Sequence, residues 1–137
     1  PQLRFLEKKI NIINKKYKII FNILSKSPSI YIPRWNNNLR GVGDSLQFLI
    51  KSKNNTNKKL FLEKLNKNGI KASIIGVSKN NARCYWNWKF FKKTIESNSK
   101  MKNLISSIFD LRVNHTLTDK KTRELASFIK INIDRYL

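Results

Sequence analysis

Residues Ser45 to Val77 read as strand, helix, strand, and no other stretch constrains the chain as tightly. Leu46, Phe48 and Ile50 alternate with Gln47, Leu49 and Lys51, a mostly apolar run of strand length. Asn54-Asn55-Thr56 supplies helix-capping side chains, and Leu60, Phe61, Leu62 and Leu65 recur behind it at helical spacing. Asn68-Gly69 ends that helix where a left-handed residue is needed, and Ile70 to Ile75 resumes the extended pattern. Units of this kind build accessory domains of enzymes and also small nucleic-acid-binding modules, so the rest of the chain must choose between them.

A chain of 137 residues with 40% hydrophobic content fits one domain with a core that needs no disulfide or metal. No apolar run approaches the ~20 residues of a membrane span, so no membrane partner is expected. The single cysteine, Cys84, excludes an intramolecular disulfide framework and suits a reducing compartment. The N-terminal stretch lacks a continuous hydrophobic segment followed by small residues, so no secretory signal and a cytoplasmic location are expected. The first residue is Pro1, and an amphipathic pattern is already running by Leu3, as in a chain cut from something longer.

The net charge of +21 would ordinarily suggest nucleic acid or an anionic surface as partner. Composition offers a second account. The 22 Lys and 7 Arg come with 18 Asn, 18 Ile and only 3 Ala, the signature of codon drift in AT-rich coding sequence. Pairs such as Lys8-Lys9, Lys58-Lys59 and Lys120-Lys121 are spread over several elements and form no single basic stripe. Dispersed charge gives general binding without a specific site, so drift is the weightier account.

Along the chain, Leu3, Leu6, Ile10, Ile13, Tyr17, Ile20 and Leu24 fall on one face, predicting an amphipathic helix over residues 2–24 that Ser27-Pro28 stops. Ser29 to Pro33 is a short extended piece, and Trp35 to Gly43 is a polar loop. After the strand–helix–strand unit, Ser78 to Ala82 is loop-like, Tyr85 to Phe91 is densely aromatic, and Lys92 to Lys102 is in part helical. Ile108 to Val113 alternates as a strand. Thr118 caps a last helix running to Leu137, with Leu125, Phe128, Ile129 and Ile133 inward. The expected fold is an α/β (α+β) sandwich: a long leading helix over residues 1–26, then a small helix-covered sheet over 27–137.

Catalytic motifs are missing from this pattern. His115 is the sole histidine, and in the turn Asn114-His115-Thr116 it reads as a solvated residue. Cys84 reads as a buried structural thiol, and no pair of the eight carboxylates has a spacing that sets up acid–base work. Gly41-Val42-Gly43 precedes a strand and does not open a helix, so it is no phosphate-cradling loop. The most unusual chemistry lies in Asn80 to Phe91, where two tryptophans and a tyrosine adjoin Arg83 and paired asparagines. One reading is an aromatic plug against the sheet, with Trp86 and Trp88 on one side and Tyr85 and Asn87 on the other. The other is a contact surface for a flat ligand with hydroxyls or phosphate, or for single-stranded nucleic acid.

Gln2-Leu3 followed by a long helix with Lys15-Lys16-Tyr17 resembles the helix that leads into the small C-terminal domain of DegT/StrS-type sugar aminotransferases. Tyr31-Ile32-Pro33, the Leu46–Ile50 strand, and Phe61 to Leu65 with Gly69-Ile70 resemble the elements that follow it in that family. Phe109-Asp110-Leu111-Arg112-Val113 with Leu117-Thr118-Asp119 is similar to the family's closing strand and last helix start. The His-Tyr-Pro loop that the family carries near its sugar substrate has no counterpart in Ile74 to Trp88.

This resemblance implies a fold-type-I, pyridoxal-phosphate-dependent enzyme that moves an amino group from an amino-acid donor to a nucleotide-linked keto sugar. It also implies a large N-terminal domain holding the Schiff-base lysine and the pyridoxal 5′-phosphate, and a homodimer as the whole enzyme. None of the 22 lysines here takes the Schiff-base role under it, and the fragment by itself is expected to be inactive. Asn81, Arg83, Tyr85 and Trp86 are expected to line the substrate side of the cleft, with Arg83 pairing an anionic group by its planar fork. The alternatives are a free-standing basic α/β module that binds nucleic acid without catalysis, or an interaction domain using an exposed apolar helix face.

Overall fold

The structure, a computed structural model, describes residues 3–34, 36, 38, 41–52, 54–77, 82–88 and 99–136. Four helices and four strands follow one another along the described chain: α1 Leu6–Leu24, β1 Ile30–Tyr31, β2 Ser45–Ile50, α2 Asn55–Lys67, β3 Ala72–Ile74, α3 Ser99–Ile105, β4 Ile108–Arg112 and α4 Asp119–Tyr136. The strands form one antiparallel sheet in the order β1-β2-β4-β3. Since β2 and β3 both run antiparallel to β4, they are parallel to each other with β4 inserted between them. The strand–helix–strand unit is therefore present but split, and the α+β architecture expected from the sequence is the one observed.

Local chemistry explains the unit's boundaries. The Asn54 side chain accepts a hydrogen bond from the Asn57 N–H at 3.1 Å, closing the N-terminus of α2. At the other end Gly69 adopts φ +73°, its N–H bonds to the Asn66 carbonyl, and the Ile70 N–H bonds to the Leu65 carbonyl, both at 3.0 Å. That pair of bonds is a Schellman closure, completed by Leu65 and Ile70 both packing in the core. β3 is shorter than the extended run predicts, because the chain turns at Ile75–Val77. Gly76 lies so close to the turn before β4 that an added Cβ would sit 2.5 Å from the Ser106 Cα.

Leu46, Phe48 and Ile50 of β2, with Phe109 and Leu111 of β4, point to the helical face. There they meet Ile20 and Leu24 of α1, Phe61 and Leu65 of α2, and Ile129 and Ile133 of α4. Phe48 stacks on Phe109 with ring centroids 5.3 Å apart, and the Phe61 ring tilts against Phe109 at 5.9 Å. Each fully buried side chain of this size contributes ~1.5–3 kcal/mol, so this single layer dominates the stability of the fold.

The two terminal helices are tied by more than apolar contact. Lys15 reaches Asp119 at 2.7 Å, and buried Lys16 donates to the other oxygen of the same carboxylate. Ser27, just past α1, donates to Asp134 of α4. Thr118 caps α4 by accepting from the Lys121 N–H at 3.2 Å. Ile129 and Ile133 face inward as expected, while Leu125 and Phe128 are half-buried.

The predicted leading helix begins with a 3-10 turn over Leu3–Phe5, and its apolar stripe is only partly used. Ile20 and Leu24 are buried, Ile13 and Tyr17 are half-buried, but Leu3 and Leu6 remain 82% and 46% exposed. Asn14 holds the glycine loop ahead of β2, donating to the Gly41 carbonyl at 3.1 Å and accepting from the Gly43 N–H at 2.8 Å. Gly43 is required there, since a Cβ would lie 2.6 Å from Tyr17. Those glycines serve packing. Among the described residues no helix is long and apolar enough to cross a membrane.

Candidate functional site

The alternation that buries Phe109 and Leu111 places Asp110 on the opposite face of the sheet. In register beside it stand Gln47 on β2 and Ser73 on β3. This face carries polar side chains at its centre, with Gln47 and Ser73 exposed, and the segment Ala82 to Trp88 reaches it through Arg83. Arg83 Nη1 lies 2.8 Å from Asp110 Oδ2, with the carboxylate largely buried and the guanidinium about half exposed. The other oxygen, Asp110 Oδ1, is enclosed without a hydrogen-bond partner among the described residues. A buried acceptor left without a partner costs ~1–3 kcal/mol, and an ordered water is one ordinary way such a group is satisfied.

The segment is anchored from beneath by Cys84, which is fully buried and donates its thiol to the Ile75 carbonyl at 3.2 Å. Burial pushes the Cys84 thiol up from its ordinary pKa, so it behaves as an inert packing group. Tyr85–Asn87 forms a 3-10 turn held by the bonds Asn87 N–H to Cys84 carbonyl and Trp88 N–H to Tyr85 carbonyl. The Trp88 indole N–H returns to the Ala82 carbonyl, closing the loop on itself. The turn overrides the two-sided arrangement expected of an extended segment. Tyr85 meets Trp86 edge to face, with centroids 5.1 Å apart and planes at 78°. Lys102 of α3 places its ammonium 5.8 Å from the centre of the Trp86 ring.

Three of the four predicted substrate-side residues, Arg83, Tyr85 and Trp86, thus lie together on one short loop. Asn81, the fourth, lies outside the described residues. Arg83, expected to pair a ligand anion, lies against a carboxylate of the same chain, Asp110. Asp110, Gln47, Ser73 and Lys102 were not among the residues expected at the site. Asp110 left a signal, as a lone acid between the apolar Phe109 and Leu111 at the centre of an alternating strand. His115 is exposed in its turn, where Asn114 Oδ1 accepts from the Thr116 N–H at 2.9 Å. Among the described residues no group of three His, Cys, Asp or Glu side chains could hold a metal ion.

No protein-family model matches the chain, and no curated protein matches it by sequence. Solved structures do match. The chain superposes on 3-amino-5-hydroxybenzoic acid synthase with a TM-score of 0.73 at 13% identity, covering 98% of this chain and 36% of that one. It superposes on the E. coli GDP-4-keto-6-deoxy-D-mannose-3-dehydratase with bound hydrated PLP with a TM-score of 0.70 at 18% identity, covering 94% and 33%. The chain spans about a third of the length of either structure. What it shares with that third, at these identities, is the fold.

Proposed function

We propose that the chain is the small C-terminal domain of a pyridoxal-phosphate-dependent enzyme of the DegT/StrS type, acting on a nucleotide-linked keto sugar. The observation that carries this reading is the superposition of nearly the whole chain on one third of two larger proteins, one of them holding PLP. The exposed stripe at Leu3 and Leu6 supports it, because an amphipathic helix that projects its apolar face past its own domain is suited to pack on a second one. The proposed whole is a cytoplasmic homodimer that transfers an amino group from an amino-acid donor.

The chain's own groups do not fit the cofactor. Of its buried lysines, Lys16 is bound to Asp119, and Lys58 lies in the first turn of α2, where burial lowers its pKa. The carboxylates Asp44, Asp110, Asp119 and Asp134 are each engaged by a basic side chain of this chain. Pyridoxal phosphate belongs to the large domain under this proposal, and no chemical step is assigned to these residues. Their part is to shape and orient: the Arg83–Asp110 pair fixes the loop, and Tyr85, Trp86 and, by sequence, Asn81 line the sugar side of the cleft. A sugar-nucleotide phosphate or carboxylate would compete with Asp110 for Arg83.

Isolated, these residues given pyridoxal phosphate, glutamate and a nucleotide-linked keto sugar should show no transamination, and any turnover would sink the fragment reading. In the complete product of the reading frame, Arg83→Gln should lower kcat/KM for the sugar at least about tenfold while leaving the amino-donor half-reaction intact. The nucleic-acid reading draws on the charge and on Trp88, which is 40% exposed, and predicts salt-dependent RNA binding that Trp88→Ala weakens.

A further inference from the structure

At the end of the sheet opposite the Arg83 loop, a groove of about 850 Å³ opens between the Asn68–Lys71 turn, the turn after β4 and the first turns of α4. The two places share no lining residue: the Arg83 loop is held at Ile75, just past β3, and at Asp110 in mid-β4, while the groove lies where β3 begins and β4 ends. Its walls include Ile13, Leu117, Leu125 and Phe128, all half-buried, over a floor closed by Ile70 and Val113. Half-burial of four apolar side chains around one concavity leaves greasy surface in contact with water at a place shaped to receive a ligand.

The rim is charged. Lys71, Arg112, His115 and Lys121 border it, with Asp44 and Glu124 as the acidic members. Asp44 is already taken, its Oδ2 lying 3.0 Å from Arg112 Nη1. Among the described residues Lys71 and Lys121 enter no ion pair, and Glu124 lies beyond salt-bridge distance of Lys121. After that internal neutralisation, the two lysines outweigh Glu124. We propose that this groove is a binding site for an amphipathic anion, a compact aromatic or aliphatic body carrying a phosphate or carboxylate. The body rests on Leu117, Leu125 and Phe128, and the charged end meets Lys71 and Lys121. The inference does not depend on the proposed enzyme.

A chain of net charge +21 attracts any anion, so the test must separate this groove from general charge. The full chain is titrated with 1-naphthyl phosphate, 1-naphthoate, 1-naphthol and inorganic phosphate, followed by calorimetry and by backbone amide shifts. One equivalent of naphthyl phosphate should bind, moving the amides of Leu117, Lys121 and Leu125 and leaving those of Arg83 to Trp88 in place. Naphthoate binding at the same amides would extend the site to carboxylates, and its failure to bind would overturn that half of the proposed ligand class. Naphthol and inorganic phosphate should each bind at least about tenfold more weakly, since each supplies half of the complementarity. Lys71→Glu and Lys121→Glu should each weaken naphthyl phosphate about tenfold, and Lys59→Glu, the same charge change on the outer face of α2, should not. Equal binding of naphthol and its phosphate, an equal loss in Lys59→Glu, or shifts mapping elsewhere would each overturn the proposal.

Discussion

The two halves of α1 carry the same apolar stripe and meet opposite fates. From Tyr17 onward the stripe is absorbed, and Leu24 is fully buried between α4 and the sheet; at the N-terminal end Leu6 stands 46% exposed. Periodicity therefore reports which face of a helix is apolar, whereas burial depends on what the rest of the fold places opposite. α4 and the sheet supply that partner to the second half and reach back as far as Ile13, while the described residues leave the first turns, at Leu3 and Leu6, largely uncovered.

The widest separation between the halves should appear on truncating the stripe. Leu24→Ala should cost ~2–5 kcal/mol in denaturant unfolding, since it opens a cavity in a closed layer. A loss under ~1 kcal/mol would mean that the second half is not packed as described. Between the halves, Gly43→Ala drives a Cβ into the Tyr17 ring and should cost ~1–3 kcal/mol. An unchanged midpoint there would show that the glycine loop is free to retreat from α1.

The ion pairs of the same helix give a pH test. Hydrogen bonds from Lys15 and Lys16 hold the Asp119 carboxyl at about 2, below its ordinary 3.8. A carboxyl with a depressed folded pKa stabilises the fold above its unfolded value and loses that contribution as pH falls from 3.8 toward about 2. Asp119→Asn should therefore lower the melting temperature at pH 6 and flatten its decline between pH 4 and pH 2. If the variant keeps the parent's acid limb, the contacts of Lys15 and Lys16 to Asp119 add nothing to the stability. Smallest of all should be Leu6→Ala, under ~0.5 kcal/mol in this chain. Under the proposed function, where a second domain would pack on that end of the helix, the same change should become costly in the longer protein, and an equally small loss there would count against that packing.

Much of this layout was legible because it rests on local chemistry. Asn54, Gly69 and Thr118 mark element ends by capping and by a left-handed backbone, which involve residues within a few positions of each other. The insertion of β4 between β2 and β3 was not legible, since strand order is settled by which apolar faces meet across long separations. Lys16 illustrates the same limit. It reads as a surface lysine in a basic helix, yet it is buried against a carboxylate 103 positions away. At the candidate site, the crowding of Arg83, Tyr85 and Trp86 was visible in the sequence. The 3-10 turn that orients them was not, because Cys84 must first be drawn under the loop and Arg83 must find Asp110.

The strand order has a kinetic side. β4 is the central neighbour of both β2 and β3, and Phe109 is the hub on which Phe48 and Phe61 converge. β1 and β2 can pair as soon as both are made, but β2 and β3 stay unjoined until β4 follows, and closing the sheet then means overcoming the loop entropy of the stretch between them. Slow closure of the sheet is the natural companion of such a layout.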